Sequence, residues 1–421
     1  MKRILMISTH GYFESKPSFG LPDTGGQVVF VIELSRALAK FGYEVDILTR
    51  KFEDFPQIEK VSDEVRIVRV PCGGRDFIPK EYLVKYLAEL VDGFVEYGQH
   101  NGLEYEFIDS HYWDAGFVGT KLAPIFGVPH MFTPHSLGIW KKMQMQQTSA
   151  DVRVGLNNEE EMERQHNFRQ RIETEKTIMS SANKVIATTP EQRDIIREKY
   201  GISERKIALT TPGFYPDKFR RMDRDALNKA IDKYKLPPRF VLAVGRITDY
   251  KGYDLLIKAM ARVVKEIPDI KLLLRIGSDR LTEEEIQKKK ELLQLAENLD
   301  LVDNILFYNY VEDLEAFYNA AEVFVLPSTY EPFGMVAIES MACGTPAIVT
   351  TKGGLKSFLK DGHDALLVDP VDTRALAEAI LRLLKDRTLY NKLSGNGYEK
   401  VHSMFTWPMI ADRTLKIVKQ L

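Results

Sequence analysis

The feature that most restricts the fold of this chain is a repeated alternation of short apolar segments with amphipathic helical segments. In the first half, apolar runs predict strands at 4–8, 45–49, 66–70, 107–110, 130–133 and 184–188. Helical periodicity predicts helices at 27–41, 80–97 and 159–181. Strands that alternate with helices in this way form parallel sheets with helices on their faces. The pattern therefore predicts an α/β protein.

The second half repeats the alternation with a different sequence. It predicts strands at 240–244, 271–276, 304–307, 323–326, 347–349 and 365–368, and helices at 253–266, 283–298 and 373–384. Because 421 residues exceed the usual size of one hydrophobic core, we expect two doubly wound, Rossmann-like domains. Ligands of such sheets bind at the carboxyl ends of the strands, so we expect the two domains to face each other across a cleft.

The domain boundary is predicted from a change in composition. The stretch 212–238 is rich in proline and charge and lacks a strand, which indicates a linker that serves as a hinge. The predicted domains are therefore 1–212 and 213–403. The final segment, about 404–421, has a helical pattern but lies outside the rhythm of the second sheet. It can pack back on the first domain.

Charge and cysteine content exclude several classes of partner. The chain has 58 Lys and Arg against 60 Asp and Glu, a net charge of -2, so it lacks the basic excess of a nucleic-acid-binding protein. Cys72 and Cys343 offer neither a disulfide framework nor a zinc spacing, which favours a reduced setting. The apolar run at 4–7 ends at Ser8, too early for a signal peptide or a membrane span. We expect a cytoplasmic protein with small-molecule substrates and no membrane partner.

Two cations follow the first predicted strand of the second half. Arg246 and Lys251 lie five positions apart, flanked by Gly245 and Gly252, and the glycines allow close approach of a ligand to the backbone. Fixed cations at a strand end can stabilise the charge that develops on a leaving diphosphate. By itself this loop is equally compatible with an exposed Arg and Lys.

About eighty positions downstream, two carboxylates bracket a predicted helix start. Glu331 precedes the helix and Glu339 lies within it, with Phe333, Gly334 and Met335 between them. Amides at a helix N-terminus are free to bind an anion or a hydroxyl. An acidic helix cap with Glu339 on a solvated face would give the same pattern. The two cations upstream favour a binding site for a nucleotide diphosphate sugar.

The first half carries polar groups at its predicted strand ends. Gly25, Gly26 and Gln27 form a turn before a helix, without the Gly-x-Gly-x-x-Gly spacing of a dinucleotide site. His111 and Tyr112 follow one strand, His135 and Lys141 follow the next, and Arg171 lies on the polar helix. Taken singly, these residues are also compatible with a core histidine, a loop lysine and a solvated helix face.

Together these motifs resemble the family-4 retaining glycosyltransferases of the GT-B fold. The resemblance rests on Gly-Arg-x4-Lys-Gly at 245–252 paired with Glu-x7-Glu at 331–339. It implies that Arg246 and Lys251 hold the donor diphosphate, with Gly245 alongside. It also implies that Glu331 and the amides of Phe333, Gly334 and Met335 bind the transferred sugar, that Glu339 binds the ribose, and that Gly277 and Ser278 lie beside the nucleotide.

The first half is similar to one branch of that family, the sucrose-phosphate synthases. The strings Asp-x-Gly-Gly-Gln, His-Tyr-x-Asp-Ala-Gly, His-Ser-Leu-Gly-x-x-Lys and Arg-Ile-x-x-Glu occur there in this order. The similarity implies that Gly26 lies beside the new bond and that His135 contacts the donor sugar. It implies an acceptor site of Gly25, Gln27, Tyr112, Lys141 and Arg171, in which Lys141 and Arg171 bind the phosphate of fructose 6-phosphate, with Arg75 and Lys80 as further basic walls.

Two strings differ from those of the sucrose-phosphate synthases. Ile-Trp-Lys-Lys at 139–142 resembles the mannosylfructose-phosphate synthases, and Gly-Ser-Asp-Arg at 277–280 replaces a Gly-Asn-Arg-Asp string. We therefore predict hexosyl transfer from a nucleotide diphosphate hexose to fructose 6-phosphate, with GDP-mannose as the alternative donor. No Asp-x-Asp metal motif is evident at a donor site, so no cofactor or fixed metal is expected. A sugar-nucleotide epimerase and a membrane-surface lipid glycosyltransferase would share this architecture and are kept as competing hypotheses.

Overall fold

The computed structural model describes residues 2–16, 21, 23–151, 159–276, 281–308 and 313–421. The chain forms two compact units. Unit 1 comprises Met1–Thr211 with Trp407–Leu421, and unit 2 comprises Pro212–Thr406. The C-terminal segment thus belongs to the first unit. Among the described helices, none combines the length and apolarity needed to cross a bilayer.

Unit 1 is built on a sheet with the strand order β3-β4-β2-β1-β5-β6-β7-β8, in which β3 alone is antiparallel. Its strands are β1 (Lys2–Ile7), β2 (Tyr43–Lys51), β3 (Ile58–Lys60), β4 (Val65–Pro71), β5 (Phe107–His111), β6 (His130–Thr133), β7 (Lys184–Ala187) and β8 (Ile207–Leu209). Its first eight helices are α1 (Gly26–Ala39), α2 (Lys80–Leu83), α3 (Leu87–His100), α4 (Trp113–Phe126), α5 (Gly138–Asp151), α6 (Glu159–His166), α7 (Phe168–Ser181) and α8 (Pro190–Lys199). The central strand β1 is apolar from Ile4 to Ile7 because both faces of the sheet are covered, whereas the neighbouring β5 ends in the buried polar residues Asp109, Ser110 and His111.

Unit 2 is built on a parallel sheet with the strand order β11-β10-β9-β12-β13-β14. Its strands are β9 (Phe240–Gly245), β10 (Lys271–Ile276), β11 (Ile305–Tyr308), β12 (Val323–Leu326), β13 (Ala347–Thr350) and β14 (Leu366–Val368). Its helices are α9 (Arg224–Tyr234), α10 (Tyr253–Glu266), α11 (Glu283–Asn298), α12 (Leu314–Ala320), α13 (Met335–Ala342), α14 (Thr373–Lys385) and α15 (Arg387–Met404). The last helix of the chain, α16 (Trp407–Val418), returns to unit 1, where the Trp407 ring packs on Phe30 of α1.

The α/β class with parallel sheets is confirmed, whereas three local predictions are wrong. The supposed linker 212–238 is part of unit 2 and contains α9, which Asp223 caps by accepting from the Ala226 amide at 2.8 Å. The helix predicted at 159–181 is interrupted at Asn167, whose φ of +48° is a left-handed conformation that asparagine tolerates. The helix predicted at 80–97 divides into α2, a 3₁₀ turn and α3.

Candidate active site

In unit 2, the loop after β9 is pressed against the segment that follows β12. Gly252 has a φ of +66°, and a Cβ there would lie 2.1 Å from the Pro327 carbonyl oxygen, so only glycine fits. The Thr329 amide donates to the Tyr250 carbonyl at 2.8 Å. The 3₁₀ turn Asp249–Lys251 is thereby held beside the loop that carries Glu331.

This packing joins the two halves of the predicted donor motif. Lys251 Nζ lies 2.6 Å from Glu331 Oε2, and Ser328 Oγ donates to the same oxygen at 3.3 Å. Burial alone would lower the pKa of Lys251, but the negative charge of Glu331 raises it above its ordinary value. The lysine therefore stays charged at neutral pH, as a ligand for a diphosphate must.

Two more buried polar atoms lie close to this pair. Arg246 Nε is buried and makes no hydrogen bond within the described part of the chain, and the same is true of Tyr253 Oη. A Cβ built on Gly245 would lie 2.7 Å from that hydroxyl. Buried donors without partners are costly, so the geometry indicates that a ligand supplies their acceptors. Tyr253 did not figure in the sequence prediction because nothing in its motif marks it.

The helix that carries Glu339 begins where the motif predicts. Helix α13 starts at Met335 after Gly334, whose φ is +110°. The Phe333 ring is part of the core and packs on Phe405 at 5.6 Å, so its amide rather than its ring is available for a ligand. Glu339 is 9% exposed, and its Oε2 accepts from Tyr318 Oη at 2.9 Å. The predicted nucleotide contacts Gly277 and Ser278 lie outside the described residues.

In unit 1, Arg171 is the most constrained of the predicted phosphate ligands. It is 3% exposed, donates from Nε to Glu175 at 2.7 Å and from Nη2 to the Ser136 carbonyl at 2.6 Å. Its guanidinium carbon stands 4.7 Å from the centre of the Tyr112 ring. These contacts fix the guanidinium at the carboxyl ends of β5 and β6.

Two lysines lie close enough to Arg171 for their charges to interact with its charge. Burial, together with the positive charges of Arg171 and Lys80, lowers the pKa of Lys141 to about 8. Lys80 is paired with Asp23, and its amide donates to the same carboxylate at 3.0 Å. Lys141, Arg171 and Lys80 therefore form one cationic group, which we call the cationic cluster. Arg75 has no contact with it, because its ion pair is with Asp54 and its side chain is 79% exposed.

The remaining predicted residues of unit 1 lie at neighbouring strand ends. Gln27 Nε2 donates to Ser8 Oγ at 3.1 Å and to the His111 carbonyl at 3.0 Å, which ties the first turn of α1 to β1 and β5. Gly25 caps α1, and Gly26 is its exposed first residue. His135 Nε2 lies 3.0 Å from His111 Nδ1. Burial lowers the pKa of His135 to about 3 and holds that of His111 well below its ordinary value, so both rings are neutral.

The structure also adds a histidine that the motifs did not identify. His10 Nδ1 lies 2.8 Å from Asp114 Oδ2, which accepts from Thr9 Oγ1 at 2.7 Å as well. The imidazole packs edge-on against Tyr112, with 4.7 Å between ring centres. His10 follows the carboxyl end of β1, so the rule that ligands bind at strand ends could have identified it.

Two protein-family models match the chain, one in each half. The model described as glycosyltransferase family 4 matches residues 24–218, and the model described as glycosyl transferases group 1 matches residues 225–400. The first match includes every acceptor-site residue predicted above, and the second includes every predicted donor-site residue of unit 2.

Individual relatives resemble the chain over nearly its whole length. A mannosylfructose-phosphate synthase of Agrobacterium fabrum is 43% identical over 99% of this chain and 91% of its own. A D-inositol 3-phosphate glycosyltransferase of Geodermatophilus obscurus is 31% identical over 98% of this chain and 88% of its own. Among solved structures, sucrose-phosphate synthase from Thermosynechococcus elongatus matches with a TM-score of 0.85 and 33% identity, covering 100% of this chain and 99% of its own.

Proposed function

This chain belongs to the group 1 and family 4 glycosyltransferases of the GT-B fold, and on that premise we propose that it transfers a hexosyl group from a nucleotide diphosphate hexose to fructose 6-phosphate. The observation that carries the proposal is the cationic cluster of Lys80, Lys141 and Arg171. A phosphate dianion is the ligand that a lysine and a planar guanidinium bind best. The names of the relatives support the choice, because each contains a phosphorylated sugar or cyclitol.

Catalysis by this arrangement depends on charge rather than on a dedicated base. As the glycosidic bond breaks, negative charge builds on the departing diphosphate, and Arg246 and Lys251 stabilise it. A single preorganised donor of this kind is commonly worth about 2.7–4 kcal/mol. Attack occurs on the face that the leaving group vacates, so configuration is retained, and the departing phosphate takes the proton of the acceptor hydroxyl. Glu331, held by Lys251, binds hydroxyls of the hexose.

The acceptor is oriented by the polar groups at the strand ends of unit 1. The phosphate lies in the cationic cluster, and Gln27 and Tyr112 contact the fructose ring near Gly25 and Gly26. His135 contacts the transferred hexose. We infer glucose as the hexose and a sucrose 6-phosphate-type product, with GDP-mannose as the second candidate because of the mannosylfructose-phosphate synthase relative. We expect the reaction to take place in the cytoplasm.

The proposal is tested by a panel of donors and acceptors. UDP-, ADP- and GDP-glucose and GDP-mannose are each incubated with fructose 6-phosphate, fructose, glucose 6-phosphate or buffer, and products are identified by mass spectrometry. We expect nucleotide release that depends on fructose 6-phosphate. An isomeric nucleotide sugar formed without acceptor would establish an epimerase instead. Transfer only in the presence of liposomes would establish a lipid glycosyltransferase.

The lowered pKa of Lys141 predicts a pH dependence of acceptor use. The amine is charged below about pH 8 and neutral above it. We therefore expect kcat/KM for fructose 6-phosphate to fall by about tenfold per pH unit above pH 8, where the substrate phosphate is already a dianion. A Lys141→Arg variant should lack this decline, because arginine does not titrate in this range. If the Lys141→Arg variant still shows the wild-type decline of kcat/KM above pH 8, the assignment of Lys141 is contradicted.

We also propose that no divalent metal takes part in the transfer. Arg246 and Lys251 supply the charge that a metal supplies in other nucleotide-sugar sites. Initial rates are measured after treatment with a chelator and again after addition of Mg²⁺ or Mn²⁺. We expect a change of less than about twofold in either direction. Loss of activity with the chelator and recovery with the metal would contradict the proposal.

A further inference from the structure

Three polar side chains form a buried line that ends at His135. Asp109 and His111 both lie on β5, and each is at most 2% exposed. His111 Nδ1 lies 3.0 Å from His135 Nε2, and His111 Nε2 lies 3.6 Å from Asp109 Oδ2. At its other oxygen, Asp109 accepts a 3.4 Å hydrogen bond from Thr133 Oγ1. The mechanism above uses neither Asp109 nor His111.

Two features of this line are unusual for a structural network. His111 Nε2 is buried and has no hydrogen-bond partner within the described residues, and the Asp109 carboxyl is the polar group that faces it. In addition, His135 has a φ of +56°, a left-handed conformation that costs a non-glycine residue free energy. The residue with this strained backbone is therefore the one whose ring contacts His111.

We propose that Asp109 and His111 are positioning residues which determine, through a chain of hydrogen bonds, the ring nitrogen of His135 that carries the proton. A neutral imidazole has one donor and one acceptor nitrogen, and the bond made by one nitrogen fixes the role of the other. Since Nε2 of His135 faces His111, the state of His111 decides whether Nδ1 of His135 is a donor or an acceptor.

The two states differ in the direction of every hydrogen bond. When Asp109 is neutral, its carboxyl moves from 3.6 Å to within hydrogen-bond distance of His111 Nε2 and donates to it. His111 Nδ1 then donates to His135 Nε2, and His135 keeps its proton on Nδ1. When Asp109 is ionised, each proton moves one place along the line and one proton leaves to solvent from Nδ1 of His135. His135 Nε2 then donates to His111, His111 Nε2 donates to Asp109, and neither imidazole becomes charged.

The change between the two states falls within an accessible pH range. Burial raises the pKa of Asp109 to about 8, a shift that the hydrogen bond from Thr133 only partly offsets. The other titratable groups that face this line are His10, whose charge acts on His135, and Asp114, which is bonded to His10. Phe30 packs against both His111 and His135 and contributes no charge.

The test is the tautomer of His135 in the ligand-free full-length protein. The chain has eight histidines, so ¹⁵N-histidine labelling with long-range ¹⁵N–¹H spectra resolves the rings, and a His135→Gln variant assigns the signal. We expect Nδ1–H at pH 6.5 and Nε2–H at pH 9.5 in the wild type. In Asp109→Asn, whose amide does not titrate, and in His111→Phe, the tautomer should not change with pH.

The matched control is His130→Gln. His130 is a buried histidine on the neighbouring strand that bonds to Ser110 Oγ at 2.7 Å, outside the line. This variant should keep the tautomer change of His135. If wild-type His135 shows the same tautomer at both pH values, or if the change persists in Asp109→Asn, the proposed chain of hydrogen bonds from Asp109 to His135 is wrong. The wild-type titration alone decides the question if a variant does not fold.

The kinetic consequence rests on the proposed function, in which His135 contacts the hexose. We expect Asp109→Asn and His111→Phe to lower kcat by about tenfold while KM for fructose 6-phosphate changes by less than about twofold, and His130→Gln to lower neither. If the spectra show the expected tautomer change of His135 but the protein transfers no hexose, only the proposed function is contradicted. Normal kcat in both variants would show that the tautomer of His135 is irrelevant to transfer.

Discussion

Replacing Lys251 by alanine is expected to lower kcat for hexosyl transfer by about 10²–10³-fold, the usual cost of one preorganised donor at a site of developing charge. The lysine amine is charged, partly buried and 2.6 Å from Glu331. Because the diphosphate gains negative charge mainly in the transition state, KM for the donor should change much less than kcat.

The control for this variant is Lys258→Ala on α10. Lys258 is exposed and pairs with Asp254 one turn away at 2.9 Å, a surface contact of small value. Its removal should leave kcat within about twofold. Both variants are compared by single-turnover kinetics with saturating substrates, and circular dichroism verifies that each is folded.

A second variant separates the two roles that Lys251 can have. Lys251→Ala leaves the Glu331 carboxylate without its cation in a largely buried position, so part of the loss could arise from an unpaired charge. Lys251→Ala combined with Glu331→Gln removes that charge but does not restore a cation for the diphosphate. We expect this double variant to remain as slow as the single one. Recovery of kcat would show that Lys251 acts by neutralising Glu331.

The sheets were predictable because parallel strands buried on both faces are unbroken apolar runs. The strands Lys271–Ile276 and Val323–Leu326 and the helix Tyr253–Glu266 have the predicted bounds. Helix α9 was not predicted, although its apolar residues recur at helical spacing, because the surrounding prolines and charges were interpreted as a linker. The edge strands β3 and β8 are three residues long, and a run of that length shows no periodicity that would distinguish a strand from a loop, even though β8 is apolar throughout.

The candidate site was predictable only as a set of positions, not as a set of contacts. Motif spacing placed Lys251 and Glu331 near strand ends, but their ion pair joins residues eighty positions apart. The pair of Lys80 with Asp23 likewise depends on how the loop after β1 packs on the start of α2. Arg75 was predicted from charge alone, and charge cannot distinguish a pocket wall from an exposed ion pair.

Replacing Arg171 by alanine is expected to remove most of the preference for a phosphorylated acceptor. The guanidinium is 3% exposed and is aligned by Glu175, Ser136 and the Tyr112 ring. Hydrogen bonds to charged partners contribute about 1.5–3 kcal/mol each, so kcat/KM for fructose 6-phosphate should fall by about 10–150-fold. The value for unphosphorylated fructose should remain nearly constant, and the ratio of the two is the decisive measurement.

The same substitution affects stability, and the design must account for it. Glu175 is fully buried and accepts from the Gly138 amide at 3.0 Å and from the Tyr200 hydroxyl. Removing its cation leaves a buried carboxylate unpaired, which typically costs about 3–5 kcal/mol. Arg171→Met combined with Glu175→Gln removes both charges, so it should recover much of the thermal stability without recovering the preference for phosphate.

The control on the same helix is Lys176→Ala, an exposed position on α7. It should leave both the melting temperature and the ratio of fructose 6-phosphate to fructose unchanged. If the double variant is stable and still prefers fructose 6-phosphate as strongly as the wild type, Arg171 is a structural residue and the phosphate binds elsewhere. If the preference is lost while kcat with fructose persists, Arg171 binds the phosphate, because a general disturbance of the site would lower transfer to both acceptors equally.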